Sequence, residues 1–140
     1  MDKSHYEKLE KVYLDAKINT QLFETTTIKV EDGEAQITLE VHDKYFHGMH
    51  AMHGAVYFKL LDDAAFFAVN SKVPDVFVLT AEFNIKLIRP VAHGQVKAIG
   101  KCIDSTNNKL IGSAELYNEA GKIIAKGTGQ FVRSKIKLPS

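Results

Sequence analysis

A chain of 140 residues, 45% hydrophobic and 25% charged, has the make-up of one globular domain with a substantial core. Eighteen basic and seventeen acidic side chains leave a formal charge of +1, so charge gives no reason to expect nucleic acid or an anionic membrane as a partner. The single cysteine, Cys102, excludes an internal disulfide framework and is read as core filler. With no apolar signal core at the start and no run of about 18 apolar residues, a cytoplasmic setting is expected.

From Ser4 to about Lys17, Tyr6, Leu9, Val12, Tyr13 and Ala16 recur at steps of three and four. This is the period of an amphipathic helix packed on the outside of a core, with Ser4 as N-cap and Glu7 completing a capping box. Thr26 to Val30 is β-branched, Asp32-Gly33 signals a turn, and Ala35, Ile37, Leu39 and Val41 alternate with polar residues, so a half-buried hairpin follows. A Gly/His-rich connection, Tyr45 to Met52, leads into His53.

Residues 54–69 are apolar around nearly the whole helical circumference, which predicts a long helix that must be wrapped. Asp62 and Asp63 stand in its middle, where an unpartnered charge is costly. Asp63 is read as structural and Asp62, mainly from its position relative to His53-Gly54, as functional. Pro74 lies just past the helix, and Phe77 to Leu87 is the longest expected strand. Simple alternation puts Phe77, Leu79, Ala81, Phe83, Ile85 and Leu87 on one face, with Val78, Thr80, Glu82, Asn84 and Lys86 on the other.

Arg89-Pro90 closes that strand. Strands over about 95–104, 109–117 and 122–133 follow, separated by Ser105-Thr106-Asn107-Asn108 and Asn118-Glu119-Ala120-Gly121. Gly100, Gly112, Gly127 and Gly129 fall inside them, as a sheet curled tightly around a helix requires. The fold class is α+β: an antiparallel sheet wrapped around one long central helix, with an extra N-terminal helix, the hotdog architecture. It is expected as a single domain over 1–140, with an N-terminal helical segment 1–25, a core 26–134 and a tail 135–140. Open sheet edges predict pairing between subunits.

The run His53-Gly54-Ala55, Asp62 nine residues after that histidine, and Thr80-Ala81-Glu82-Phe83-Asn84 ending in Arg89-Pro90 resemble the PaaI-type hotdog thioesterases. The resemblance spans about 26–133 and implies hydrolysis of acyl-coenzyme A thioesters. It implies a Gly54 N–H that polarises the carbonyl, His53 orienting the loop, Asp62 as nucleophile or general base, and His47 where relatives often carry asparagine. Ala55 replaces the second glycine of the family's His-Gly-Gly signature, and His50 a common glycine. Substrate contacts are expected from Ala55, Thr80, Asn84 and Arg89. Thr80 would reach the site only if its strand face met the partner subunit.

Gly54 and Asp62 are eight residues apart, roughly 12 Å along a helix. A catalytic group must come within about 3 Å of its target, so one carbonyl needs Gly54 of one subunit and Asp62 of another. The resemblance implies the same arrangement, in a dimer or dimer of dimers with shared sites. No cofactor is expected, coenzyme A entering only as part of the substrate, and no metal, although His47, His50 and His53 stand at three-residue spacing.

Arg89, Arg133, Lys135 and Lys137 are read as a solvated face rather than a phosphate site. Phe58, Phe66 and Phe67 are read as core before acyl pocket. Two rival functions stay open at this point: a hotdog hydratase or dehydratase pairing His47 or His50 with Asp62 or Asp63, and a non-catalytic acyl-CoA-binding module.

Overall fold

A run with no proline and no interior glycine from Ala55 to Asn70 forms a 17-residue helix, α3 (Gly54–Asn70), in a computed structural model that describes residues 3–106 and 108–139. Every residue from Ala64 to Asn70 is buried. Only the strip carrying Ala55 and Phe58 in the first half of α3 faces outward, with Asp62 half-buried in line with it.

Around α3 lie six antiparallel strands: β1 (Thr27–Glu31), β2 (Glu34–Glu40), β3 (Val76–Leu87), β4 (Gln95–Thr106), β5 (Lys109–Tyr117) and β6 (Ile123–Lys137). Their order in the sheet is β1-β2-β4-β5-β6-β3. This is the hotdog arrangement expected from the sequence. A Cβ on Gly100 would stand 2.1 Å from the Ala64 carbonyl oxygen, and one on Gly112 would stand 3.0 Å from that of Ala65. Glycine at these two positions lets the middle of the sheet close onto the helix backbone.

Two helices precede the sheet, α1 (Lys3–Asp15) and α2 (Lys17–Leu22). The first has the expected amphipathic character and buries Leu9 and Tyr13 in the core. Two details differ from the sequence reading. The helix has already begun at Lys3, so Ser4 lies inside it rather than at its N-cap, and α2, which has no strong periodicity, was not anticipated. β6 also runs to Lys137, past the strand end expected at Arg133 and into the expected tail.

The β4–β5 turn contains Asn107, which lies outside the described residues. Among the described residues no helix is long and apolar enough to cross a membrane.

The most consequential difference lies in β3. Its pairing with β6 runs Thr80 to Phe131 and then Glu82 to Gln130, so Ala81 is an extra residue, a β-bulge. One inserted residue exchanges the faces of everything beyond it. Val78 and Thr80 therefore face α3 together with Phe83 and Ile85, while Leu79 is largely exposed. The expected apolar row from Phe77 to Leu87 on one face is corrected accordingly.

Candidate active site

The entry to α3 is shaped by His53. Its extended backbone (φ −64°, ψ 143°) makes it the N-cap, and its Nδ1 accepts the Ala55 N–H at 2.9 Å. The His53 carbonyl accepts the Val56 N–H at 3.0 Å, and the His53 N–H donates to the Tyr45 carbonyl at 2.8 Å. Gly54 N–H, the first of the helix, is left with no backbone or side-chain acceptor among the described residues. It sits at the positive end of the helix dipole, a suitable place for an oxygen gaining negative charge. A Cβ on Gly54 would meet Leu87 Cδ1 at 3.3 Å, so the end of β3 lies directly against this turn.

From there α3 and β3 run side by side. Phe58 and Phe83 meet edge to face, with ring centroids 5.5 Å apart. Phe83 has room because Gly127 and Gly129 on β6 leave space beneath its ring, where a Cβ at either would come within 2.5 Å of it. Further along, Thr80 Oγ1 donates to Asp62 Oδ1 at 2.8 Å.

Burial pushes the Asp62 carboxyl up to about 6, and the negative charge of Asp63 adds to this; the Thr80 hydrogen bond and the Lys59 charge oppose it. An aspartate poised there is ionised at neutral pH and retains more basicity than an exposed one. Thr80 thus reaches Asp62 within its own protomer, without needing the opposite strand face to meet a partner.

Asp63 has a different environment. Lys59 Nζ donates to its Oδ2 at 2.7 Å, to Asn19 Oδ1 at 2.6 Å and to the Tyr13 hydroxyl at 3.2 Å, and lies over the Tyr13 and Phe23 rings. Burial pushes the Asp63 carboxyl up while the Lys59 charge and hydrogen bond hold it down. The pair ties α1 and α2 to the central helix, in keeping with a structural role for Asp63. Asn19 and Lys59 were not singled out from the sequence, and Tyr13 only as an apolar position of the N-terminal helix, although the four-residue spacing of Lys59 and Asp63 was a legible sign.

The remaining expected residues make contacts of their own. His47 Nδ1 accepts the Met49 N–H at 3.0 Å, closing its own exposed loop, in which His50 adopts a positive φ of 68°. Ala55 has its N–H occupied by His53. Asn84, beyond the bulge, is on the sheet face away from α3, in a shallow groove with Lys86, Lys101 and Lys126. Arg89 donates to the Ile123 carbonyl at 2.9 Å. Within one protomer the helix and β3 bring together Gly54, Asp62 and Thr80 along one seam, and leave Asn84 off it. No group of three His, Cys, Asp or Glu side chains among the described residues is arranged to hold a metal ion.

A sheet wrapped on a single helix defines the hotdog class, and here that helix carries an open N–H at its start and a half-buried carboxylate two turns along. The chain belongs to the Thioesterase superfamily, whose sequence profile matches residues 49–125. No curated protein matches. Among solved structures, the PaaI protein from the phenylacetic acid degradation operon of E. coli is 20% identical with a TM-score of 0.84, covering 96% of this chain and 99% of its own.

A conserved protein from Pseudomonas aeruginosa is 24% identical with a TM-score of 0.80, covering 89% and 98%. A thioesterase from Haemophilus influenzae is 18% identical with a TM-score of 0.77, covering 91% and 90%. At these identities the likeness is one of fold.

Proposed function

We propose that the protein is an acyl-coenzyme A thioesterase working as a homodimer or a dimer of dimers, with Asp62 as its catalytic carboxylate. The observation that carries this reading is the placement of a carboxylate with raised basicity, held by Thr80, on the same helix as the open Gly54 N–H. At roughly 12 Å apart they cannot serve one carbonyl, so each site combines Gly54 of one subunit with Asp62 of another. The sheet supports such pairing. Its β1 edge is covered by α1, where Glu10 Oε2 accepts the Val30 N–H at 2.8 Å, whereas among the described strands the 12-residue β3 pairs only with β6. Asn70 donates to the Val76 carbonyl and accepts the Val78 N–H at the start of the other edge of β3, and the rest of that edge is free of strand pairing.

The thioester carbonyl oxygen accepts the Gly54 N–H. Asp62 then either attacks the carbonyl carbon, giving an acyl-enzyme anhydride that water cleaves, or removes a proton from water as its oxygen attacks. On either route the C–S bond breaks, the thiolate leaves and takes up a proton, and one water is consumed. The site chemistry uses no cofactor beyond the coenzyme A of the substrate, and a cytoplasmic location suits that substrate. His53 shapes the oxyanion turn, and His47, Ala55 and Arg89 are proposed to line the substrate's approach to it.

The hydratase reading would need a histidine beside the acid. His47 instead spends its Nδ1 on its own loop, and among the described residues Asp62 is bonded by Thr80 and Asp63 by Lys59, not by His47 or His50. The test is release of free thiol from a panel of acyl-CoAs by the parent protein and by Asp62→Asn. Turnover in the parent that drops at least about 100-fold in the variant is the effect of losing a general base or nucleophile. Equal, negligible release from both overturns the assignment.

A further inference from the structure

Beside Asp62, between α3 and the N-terminal helices, is a cavity of about 250 Å³. Asp62 forms part of its wall. Asp63 and Asn19 add polar atoms, and the apolar part of the wall includes Phe66 and Phe67 of α3, Phe77 of β3, and Tyr13, Ala16 and Ile18 from the N-terminal segment. Its floor is an aromatic cluster: the Phe66 and Phe77 centroids are 4.9 Å apart, Phe66 and Phe67 5.1 Å, and Tyr13 and Phe67 5.4 Å. The carboxylates on its wall are both engaged, Asp62 by Thr80 and Asp63 by Lys59. Ile18, a large aliphatic side chain, is left 48% exposed at this cavity.

We infer that this cavity receives the acyl tail of the substrate, and that Ala16 and Ile18 of the N-terminal segment set the tail length accepted. The inference rests on the thioesterase reading. A carbonyl held at Asp62 has its acyl substituent next to this opening, and an apolar tail there replaces water against aromatic rings. At about 30 Å³ per water-sized group, the space takes about eight non-hydrogen atoms. The substrate class is therefore a compact apolar acyl group, straight or aromatic, of about six to eight carbons; longer tails must leave part of their length in water. Each methylene buried improves kcat/KM about fourfold.

The residues that set this length are well suited to the task. Ala16 is the hinge between α1 and α2, its backbone extended (φ −60°, ψ 134°), and its methyl group is the smallest side chain on the wall. A bulky residue there fills the cavity without changing the backbone. Removing the Ile18 side chain opens the wall to solvent. Phe66 and Phe67, read from the sequence as core, serve both purposes: one side of the ring cluster packs the interior and the other faces the cavity.

The experiment is a kcat/KM series on acetyl-, butanoyl-, hexanoyl-, octanoyl-, dodecanoyl-, palmitoyl- and benzoyl-CoA for the parent, Ala16→Phe, Ile18→Ala and, as a control on the outer face of α1, Leu14→Ala. The parent is expected to peak at hexanoyl, octanoyl or benzoyl and to gain nothing beyond. Ala16→Phe lowers the octanoyl-to-acetyl ratio at least tenfold, Ile18→Ala raises the dodecanoyl-to-octanoyl ratio, and Leu14→Ala keeps the parent profile. Should Ala16→Phe fail to fold, the Ile18→Ala ratio decides. Clear turnover with the same length profile in all four proteins overturns the cavity assignment alone. No thiol release by the parent from any substrate overturns it together with the thioesterase reading.

Discussion

Thr80 Oγ1 reaches Asp62 Oδ1 at 2.8 Å because Ala81, one residue further along β3, is a bulge that turns the strand's apolar face over. Without the bulge, Val78 and Thr80 would share a face with Glu82 and Asn84 and could not join Phe83 and Ile85 against the helix. The bond favours the ionised carboxylate, so removing it moves the Asp62 titration upward from about 6. Thr80→Ala is therefore expected to shift the acidic limb of kcat/KM to higher pH: several-fold slower at pH 6, with most of the rate regained at pH 8. Thr80→Ser keeps the parent limb. Equal losses at every pH in Thr80→Ala would show that the hydroxyl does not act through the carboxylate.

The same carboxylate costs stability where it is charged. Its folded value of about 6 is above the ordinary 3.8, so between those values the native state binds more protons than the unfolded state and stability falls as pH rises. Above pH 6 the whole cost is present. Part of Asp62 remains in contact with water, and solvent screening reduces the cost to ~1 kcal/mol. Asp62→Asn should thus melt a few degrees higher than the parent at pH 8 and no higher at pH 3. An inactive variant that is also less stable at pH 8 would contradict the buried-charge account.

Much of this was legible in the sequence for physical reasons. The all-round apolar run 54–69, the alternation in β2 and the glycines facing α3 are each sufficient to specify their element, because burial imposes the pattern residue by residue. Asp62 stood out as an acid in an apolar helix. The bulge at Ala81 did not, since alanine fits either face and the alternation reads smoothly through it. Asn84 was placed with Thr80 for that reason and is in fact on the opposite side. The ties of Lys59 to Asn19 and Tyr13 join segments 40 and more residues apart, and no local period records a contact of that kind.

Gly100 offers a direct test of how closely the sheet seats on the helix. An added Cβ would meet Ala64 O at 2.1 Å and Ala65 N at 2.6 Å, all backbone atoms that no rotamer change can move. Gly100→Ala must push α3 off β4, and the loss expected is at the exceptional end of single substitutions, ~4 kcal/mol or more, or failure to fold. Gly48, around which a Cβ meets nothing within 4 Å, serves as the control, and Gly48→Ala should stay within about 0.5 kcal/mol of the parent. Denaturant melts of both variants measure this. A Gly100→Ala protein as stable as the parent would mean that helix and sheet are further apart than described.

Lys59 and Asp63 hold the N-terminal helices to the core through a pair whose side chains are only 12% and 24% exposed. Breaking such a pair from one side strands the other charge, at a cost of about 3–5 kcal/mol, whereas replacing both with apolar residues of similar size is often neutral. Lys59→Met should therefore be strongly destabilised at pH 7. Burial already pushes the Asp63 carboxyl up, and losing the Lys59 charge pushes it further, so at pH 4 Asp63 takes up a proton and most of the loss should disappear. In the double variant Lys59→Met/Asp63→Leu, stability at pH 7 should return to within about 1–2 kcal/mol of the parent. The residual deficit belongs to the hydrogen bonds that Lys59 makes to Asn19 and Tyr13, each worth roughly 1 kcal/mol. Chemical denaturation of the parent, Lys59→Met, Asp63→Leu and the double variant at both pH values closes the cycle. Additive losses at pH 7, with no recovery at pH 4, would show that Lys59 holds the N-terminal segment by packing over the Tyr13 and Phe23 rings rather than through its charge.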